Sequence, residues 1–137
     1  MQAQYEIIVR RPVERVFRFL ADPRNRPRWQ ASLRTVDMLS DGEPHVGMRW
    51  RERPGGLVEF DMQIVALEPN QLWVEAFEGA GVTGQIALSF AAEGGDTRLG
   101  VSVTLALPKL LQLGAPIVRT LLVTAIRQDL ARVEQLV

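Results

Sequence analysis

The chain has 137 residues with 16 basic and 16 acidic side chains, so its formal net charge at pH 7 is zero. A nucleic-acid-binding protein usually carries a clear basic excess, and this balance argues against that class. The sequence contains no cysteine, which excludes a disulfide framework, a thiolate metal site and a cysteine nucleophile.

Length and hydrophobicity predict one folded domain spanning residues 1–137. Apolar residues make up 47% of the chain, which is enough to build a sizeable core. The first residues, MQAQ, lack the basic and apolar regions of a signal peptide. The longest apolar runs are far too short to cross a bilayer. We therefore expect a soluble, cytoplasmic protein without a membrane span.

The N-terminal part begins with one strand and two short helices. Apolar residues alternate with polar ones over residues 5–9, which indicates the first strand. Pro12 suits the first turn of a helix, and apolar residues at helical spacing predict an amphipathic helix over 13–21. A second short helix is predicted over 24–33, and it holds Trp29.

From residue 34 the hydrophobic period changes from helical to two, which predicts six more strands. Their connections are short and rich in glycine, and such links favour antiparallel hairpins because parallel neighbours need long crossovers. The alternation places one face of the sheet in the core and the other in water. The predicted strands cover 34–40, 46–53, 57–67, 71–78, 83–92 and 96–106.

After Pro108 one long helix is predicted to run to the C-terminus. Gly114-Ala115-Pro116 should break or kink its start, because proline removes an internal helix hydrogen bond. A curved antiparallel sheet that covers this helix would leave a cavity between the two layers, and we expect the function to reside there. The apolar stripe of the helix consists of Val118, Leu122, Ile126, Leu130 and Val133.

This order of elements resembles the helix-grip fold of the START-like superfamily, and within it the polyketide cyclase/dehydrase and lipid-transport family. The resemblance implies an α+β fold in which a curved, seven-stranded antiparallel sheet wraps around the long C-terminal helix, with two short helices after strand 1. The residues that carry it are Pro12-Val13-Glu14-Arg15-Val16-Phe17, Asp22-Pro23, Pro27, Trp29, Val46-Gly47, Gly95-Asp96-Thr97-Arg98-Leu99, Asp129-Leu130 and Val133-Glu134.

What the resemblance implies about function is broad. Members bind apolar or amphipathic small molecules between sheet and helix; some cyclise or dehydrate polyketides, and others carry lipids or quinones. The family has no universal catalytic residue that could be carried over to a position of this chain. We expect an apolar small molecule as the partner, and neither a cofactor nor a metal.

Two short motifs favour structural interpretations over functional ones. Residues 79–84, GAGVTG, match the dinucleotide fingerprint GxGxxG, but that site needs a following helix and the next residues alternate like a strand. We predict a hairpin turn. His45 is the only histidine, so a multi-histidine metal site is excluded, and we expect it to lie exposed in a turn.

Apolar and aromatic residues on the predicted inner faces are candidates for the wall of a ligand pocket. In this fold the core and the cavity lining come from the same faces, so plain core packing is the alternative. Both faces of strand 71–78 are partly apolar, and the sequence leaves open which one points into the cavity. The candidate wall residues are Trp29, Trp50, Phe60, Met62, Trp73, Phe77, Phe90, Leu122 and Ile126.

Two charged residues are weak candidates for catalytic roles. Glu75 shares a strand face with Trp73 and Phe77, and inside an apolar cavity its pKa would be raised so that it could act as a general acid or base. A strand bulge or an exposed side chain is the alternative. Arg119 lies beside the apolar stripe and could hold a ligand carboxylate or ketone, or neutralise Glu75; otherwise its charged end reaches the surface along its apolar stem.

Three functions remain open at this point. The first is binding of a lipid-, quinone- or polyketide-like molecule in the cavity. The second is a polyketide cyclase or dehydratase, which needs an oriented substrate, exclusion of water and one or two acid/base groups. The third is a protein-interaction module of the same superfamily, which a broad exposed apolar patch would favour.

Overall fold

The computed structural model describes residues 1–55 and 57–137, and these form the predicted succession of strands and helices. The second short helix ends at Trp29 rather than at residue 33, and a 3-10 turn precedes it. In chain order the elements are β1 (Gln2–Val9), α1 (Val13–Ala21), the 3-10 turn (Pro23–Asn25), α2 (Arg26–Trp29), β2 (Val36–Met38), β3 (Arg49–Gly55), β4 (Val58–Glu68), β5 (Leu72–Gly79), β6 (Val82–Glu93), β7 (Asp96–Ala106), α3 (Lys109–Gln112) and α4 (Ala115–Leu136).

The strands form one antiparallel sheet in the order β1-β7-β6-β5-β4-β3-β2. Strands β2 to β7 each pair with their neighbours in sequence, as the short glycine turns predict, and β1 adds to the free edge of β7. Irregular register between Glu52 and Gly55 on β3 and between Ile64 and Ala66 on β4 bends the sheet, because a bulge increases local twist. The predicted helix-grip fold, a curved seven-stranded sheet with a long C-terminal helix, is confirmed.

The segment with the GxGxxG spacing is a tight hairpin turn. Strand β5 ends at Gly79 and β6 begins at Val82, so only Ala80 and Gly81 connect them. Both adopt positive φ, +52° and +77°, which fits a two-residue turn of type I′. The hairpin prediction is confirmed, since a strand follows the glycines where a nucleotide-binding site needs a helix.

The C-terminal helical region breaks where glycine and proline predict. Helix α3 ends at Gln112, and α4 begins at Ala115 with Pro116 in its first turn, where a missing N–H costs nothing. The predicted stripe on α4 is unevenly covered. Leu130 and Val133 are fully buried, whereas Val118, Leu122 and Ile126 are only half-buried. The sheet therefore covers the C-terminal half of α4 more closely than its N-terminal half.

Polar contacts fix that C-terminal half in place. The backbone N–H and the Nε of Arg10 both donate to the Glu134 carboxylate, at 2.7 and 3.0 Å. Arg132 Nη1 donates to the carbonyl of Trp29 at 2.9 Å, which ties α4 to α2. Helix α4 packs chiefly on β1 and α2 and not on the middle of the sheet. A gap over β4–β6 results.

The beginning of the helical region, from α3 to the first half of α4, exposes apolar side chains to solvent. Leu110 and Leu113 on and beside α3, and Ile117 and Leu121 on the outer side of α4, are largely exposed. Within residues 1–55 and 57–137, no helix is long and apolar enough to cross a membrane.

Candidate functional site

A cavity of about 230 Å³ lies between the inner face of the sheet and α4. Strands β3 to β6 form its sheet side, and Leu122, Ile126 and Leu130 lie on its helix side. Most of the wall is apolar, and the charged groups are concentrated near α2. The cavity exists because the half-buried stripe of α4 faces this gap instead of packing directly on the strands.

Seven of the nine residues proposed from the sequence as pocket walls line this cavity. Trp50 and Phe90 do not. Phe90 packs edge-on against Phe17 of α1, with ring centroids 5.1 Å apart. Trp50 is fully buried beside Arg26 and absent from the cavity wall. The seven residues on the wall are Trp29, Phe60, Met62, Trp73, Phe77, Leu122 and Ile126.

Strand β5 presents Trp73, Glu75 and Phe77 to the cavity, which answers the question of its inward face. Glu75 is 1% exposed and lies opposite Ile64 of β4 and Ile86 of β6. It is thus neither an exposed side chain nor a bulged residue. A carboxylate enclosed in this way needs a partner, because burying an unpaired charge costs several kcal/mol, on the order of the whole stability of a domain.

That partner is Arg26, the first residue of α2, which is only 4% exposed. Its Nη2 donates to Glu75 Oε2, and its Nη1 donates to Glu52 Oε1 at 3.1 Å. The weaker contact from Nη1 to Gln30 Oε1 is 3.4 Å long. One guanidinium thus links two buried carboxylates, from β3 and β5, and we call Arg26, Glu52 and Glu75 the buried triad.

Aromatic rings enclose the guanidinium. Its central carbon lies 5.6, 5.6 and 5.1 Å from the ring centroids of Trp29, Trp50 and Trp73. A cation attracted by the faces of indole rings gains about 0.5–2 kcal/mol per contact when desolvated. All three tryptophans of the chain therefore surround the buried triad.

Burial and the neighbouring charges shift the protonation of the triad. Burial raises the pKa of Glu75 to about 7; the positive charge and hydrogen bond of Arg26 oppose this rise, and Glu52 adds to it. Burial acts to lower the pKa of Arg26, but the attraction of Glu52 and Glu75 outweighs it, and the pKa of Arg26 is raised. Near neutral pH the Glu75 carboxyl group therefore changes between its neutral and its negatively charged form.

The raised pKa of Glu75 predicts a pH-dependent stability. Because the folded protein holds this proton more tightly than the unfolded chain does, the free energy of unfolding is highest below about pH 4.5 and falls by about 1–3 kcal/mol as the pH rises to about 7. We expect Glu75→Gln to remove this fall, as measured by urea denaturation between pH 5 and 8. Glu78→Gln, an exposed position on the same strand, should keep it. Equal slopes in the two variants would contradict the assignment.

Two members of the buried triad, Arg26 and Glu52, were not predicted from the sequence. Glu52 follows Met48 and Trp50 at a spacing of two, so the alternation of β3 does place it on the inner face. Arg26 gives no such signal, since an arginine on a short helix is normally exposed. Arg26, and not Arg119, pairs with Glu75: Arg119 is exposed and absent from the cavity wall, and its Nε donates to the Gln2 carbonyl at 2.9 Å.

Among the described residues no group of three or more histidine, cysteine, aspartate or glutamate side chains could hold a metal ion. His45 lies exposed beside the Glu43 carbonyl, with its Nδ1 2.7 Å from that oxygen.

A curved sheet closed by a C-terminal helix, with a cavity between them, defines a START-like helix-grip protein. Within this class the chain belongs to the family described as polyketide cyclase/dehydrase and lipid transport, whose family model matches residues 1–137. No curated protein matches the sequence.

Solved structures share the fold at low sequence identity. TTHA0849 from Thermus thermophilus is 17% identical with a TM-score of 0.80, covering 98% of this chain and 95% of its own. A START superfamily protein from Mycobacterium smegmatis is 16% identical with a TM-score of 0.79, covering 99% of both chains. DynU16, from the dynemicin biosynthetic locus, is 19% identical with a TM-score of 0.68; the match covers 96% of this chain but only 46% of DynU16.

Proposed function

We propose that the protein binds a small, mainly apolar molecule in the cavity between the sheet and α4. The observation that carries this proposal is the cavity of about 230 Å³, with mainly apolar walls and a polar end at the buried triad. A cavity of about 150 Å³ holds benzene, so this one suits a ligand of one or two rings, or a chain of about ten heavy atoms. Membership of a family named in part for lipid transport supports the same interpretation.

The expected affinity follows from the size of such a ligand. 2-Acetylnaphthalene has about 13 heavy atoms, and at roughly 0.3–0.5 kcal/mol per atom its Kd should lie between about 10 μM and 1 mM. Because all three tryptophans surround the buried triad, and Trp29 and Trp73 line the cavity, binding should quench the intrinsic fluorescence saturably with one site per chain.

Substitutions of two adjacent residues of α4 test whether the ligand binds in the cavity. Leu122 lines the cavity, whereas Leu121 is 67% exposed on the opposite side of the helix. Leu122→Trp should fill the space and weaken binding of 2-acetylnaphthalene at least 30-fold, and Leu121→Trp should leave the Kd within twofold. Unsaturable quenching, or equal binding by both variants, would refute the proposal; circular dichroism checks that both fold.

A second candidate function is a cyclase or dehydratase, and Glu75 favours it. Its pKa of about 7 is close to the value that suits a general base or acid at neutral pH, and its carboxyl group is part of the cavity wall. As a base, Glu75 would take a proton from the carbon next to a ligand carbonyl. The positive charge of Arg26 would stabilise the negative charge that forms on the carbonyl oxygen, without a direct bond from the two terminal nitrogens that hold Glu52 and Glu75. Aldol-type ring closure and loss of water both begin with this step.

A further inference from the structure

The two terminal nitrogens of Arg26, the arginine of the cavity wall, are already used; its Nε is buried and has no hydrogen-bond partner among the described residues. Both terminal nitrogens of Arg26 hold protein carboxylates, Nη1 that of Glu52 and Nη2 that of Glu75. A ligand carboxylate is normally anchored by two parallel bonds from a free guanidinium. Such a ligand would have to displace one of the two glutamates, and the displaced carboxylate would remain buried nearby.

The remaining charges on the wall also oppose an anion. Besides the triad, the wall carries Asp129, which accepts from Arg132 at 2.8 Å and from the backbone N–H of Ala31 at 3.2 Å. Arg132 itself is exposed and lies off the wall. One basic group therefore stands against three carboxyl groups, and like charges repel strongly where little water screens them.

A cationic ligand is attracted by these carboxyl groups, but the indole faces beside them already hold a cation. The faces of Trp29 and Trp73 would be the natural site for an ammonium group, but both already lie within 5.6 Å of the Arg26 guanidinium. A second cation there would be repelled by the first and would lose its hydration.

We propose that the cavity selects uncharged ligands whose polar end is a carbonyl or hydroxyl group, and that it rejects carboxylates of the same shape. This inference rests on the proposed function and specifies its ligand class. A carbonyl or hydroxyl group brings no charge, so at pH 8 it neither displaces a glutamate from Arg26 nor adds to the repulsion among the carboxyl groups. A hydroxyl group can donate to the ionised carboxylates, and below about pH 7 the protonated Glu75 can also donate to a carbonyl oxygen. Long-chain fatty acids are then excluded by their charge as well as by their size.

Three probes on one naphthalene frame test the selection. We expect 2-acetylnaphthalene to bind at least tenfold more tightly at pH 8 than 2-naphthoate or 2-naphthylmethylammonium, measured by tryptophan quenching and calorimetry. Equal or tighter binding of either charged probe would overturn the inference while leaving the proposed function intact. Failure of all three to bind would overturn both.

Removing one carboxylate of the buried triad should weaken the discrimination against carboxylate ligands. In Glu75→Gln the triad loses one negative charge, so the affinity ratio of 2-acetylnaphthalene to 2-naphthoate should fall at least fivefold at pH 8. Glu52→Gln makes the same change at the other carboxylate and serves if the first variant folds poorly. Glu78→Gln, on the outer face of β5, should keep the wild-type ratio. An unchanged ratio in a folded Glu75 or Glu52 variant would show that the triad does not set the selection.

Discussion

Replacing Arg26 with methionine should lower the free energy of unfolding at pH 7 by about 3–5 kcal/mol, the cost of breaking a buried ion pair from one side. Methionine fills much of the same volume but leaves Glu52 and Glu75 buried without a positive charge. The three indole rings also lose the cation they enclose. Urea denaturation followed by circular dichroism measures the effect.

The pH dependence separates this electrostatic effect from poor packing. Without Arg26 the pKa of Glu75 rises further in the folded state, because the positive charge and hydrogen bond that oppose its rise are gone, so the loss of stability should shrink as the pH falls from 7 to 5. Arg26→Met combined with Glu52→Gln and Glu75→Gln should regain most of the loss, because no buried charge remains.

A nearby arginine provides the matched control. Arg24 is paired with Asp22 at 3.2 Å, but its side chain is 40% exposed. Arg24→Met should cost less than about 1 kcal/mol, as is usual for exposed pairs. Similar losses for the two arginine variants, or a loss for Arg26→Met that does not change with pH, would argue against a charge-bearing triad.

The strands and their pairing were predictable because the signals are local. An alternation of period two and a glycine turn each act over a few residues, and consecutive short hairpins then determine the sheet order from β2 to β7. The observed ends of the elements differ from the predicted ones by a few residues. The difference is largest at α2, which ends at Trp29 because Gln30 takes an extended conformation.

The buried triad was not predictable because it joins distant positions. Arg26 lies 26 residues from Glu52 and 49 from Glu75, and only the packing of α2 under the curved sheet brings them together. Alternation correctly predicted that Trp50 is buried, but it gives only the face of the strand and no distances, so it did not reveal that Trp50 packs beside Arg26 and not on the cavity wall. Phe90 does not line the cavity because α1 covers that part of the sheet, where Phe90 packs on Phe17.

The first step of the proposed cyclase activity, proton abstraction, can be measured as hydrogen–deuterium exchange of the methyl group of 2-acetylnaphthalene. If Glu75 acts as a base, it breaks a C–H bond of the methyl group and takes the proton, while the electron pair moves onto the carbonyl oxygen beside Arg26. After the carboxyl group exchanges with solvent D₂O, it returns a deuteron to the same carbon. Proton NMR should therefore show loss of the methyl signal.

We expect the wild-type protein to catalyse this exchange at least 100-fold faster than Glu75→Gln, within the range of about 10²–10⁴ typical of a positioned acid/base group. The wild-type rate should rise with pH and level off above about 7, because only the ionised carboxylate accepts a proton. Glu78→Gln should exchange like the wild type. The Kd of each variant for the ketone, measured by fluorescence, separates loss of the base from loss of binding. If the protein binds the ketone but exchange is no faster than in buffer, the proposed enzyme activity is refuted and only the ligand-binding function remains.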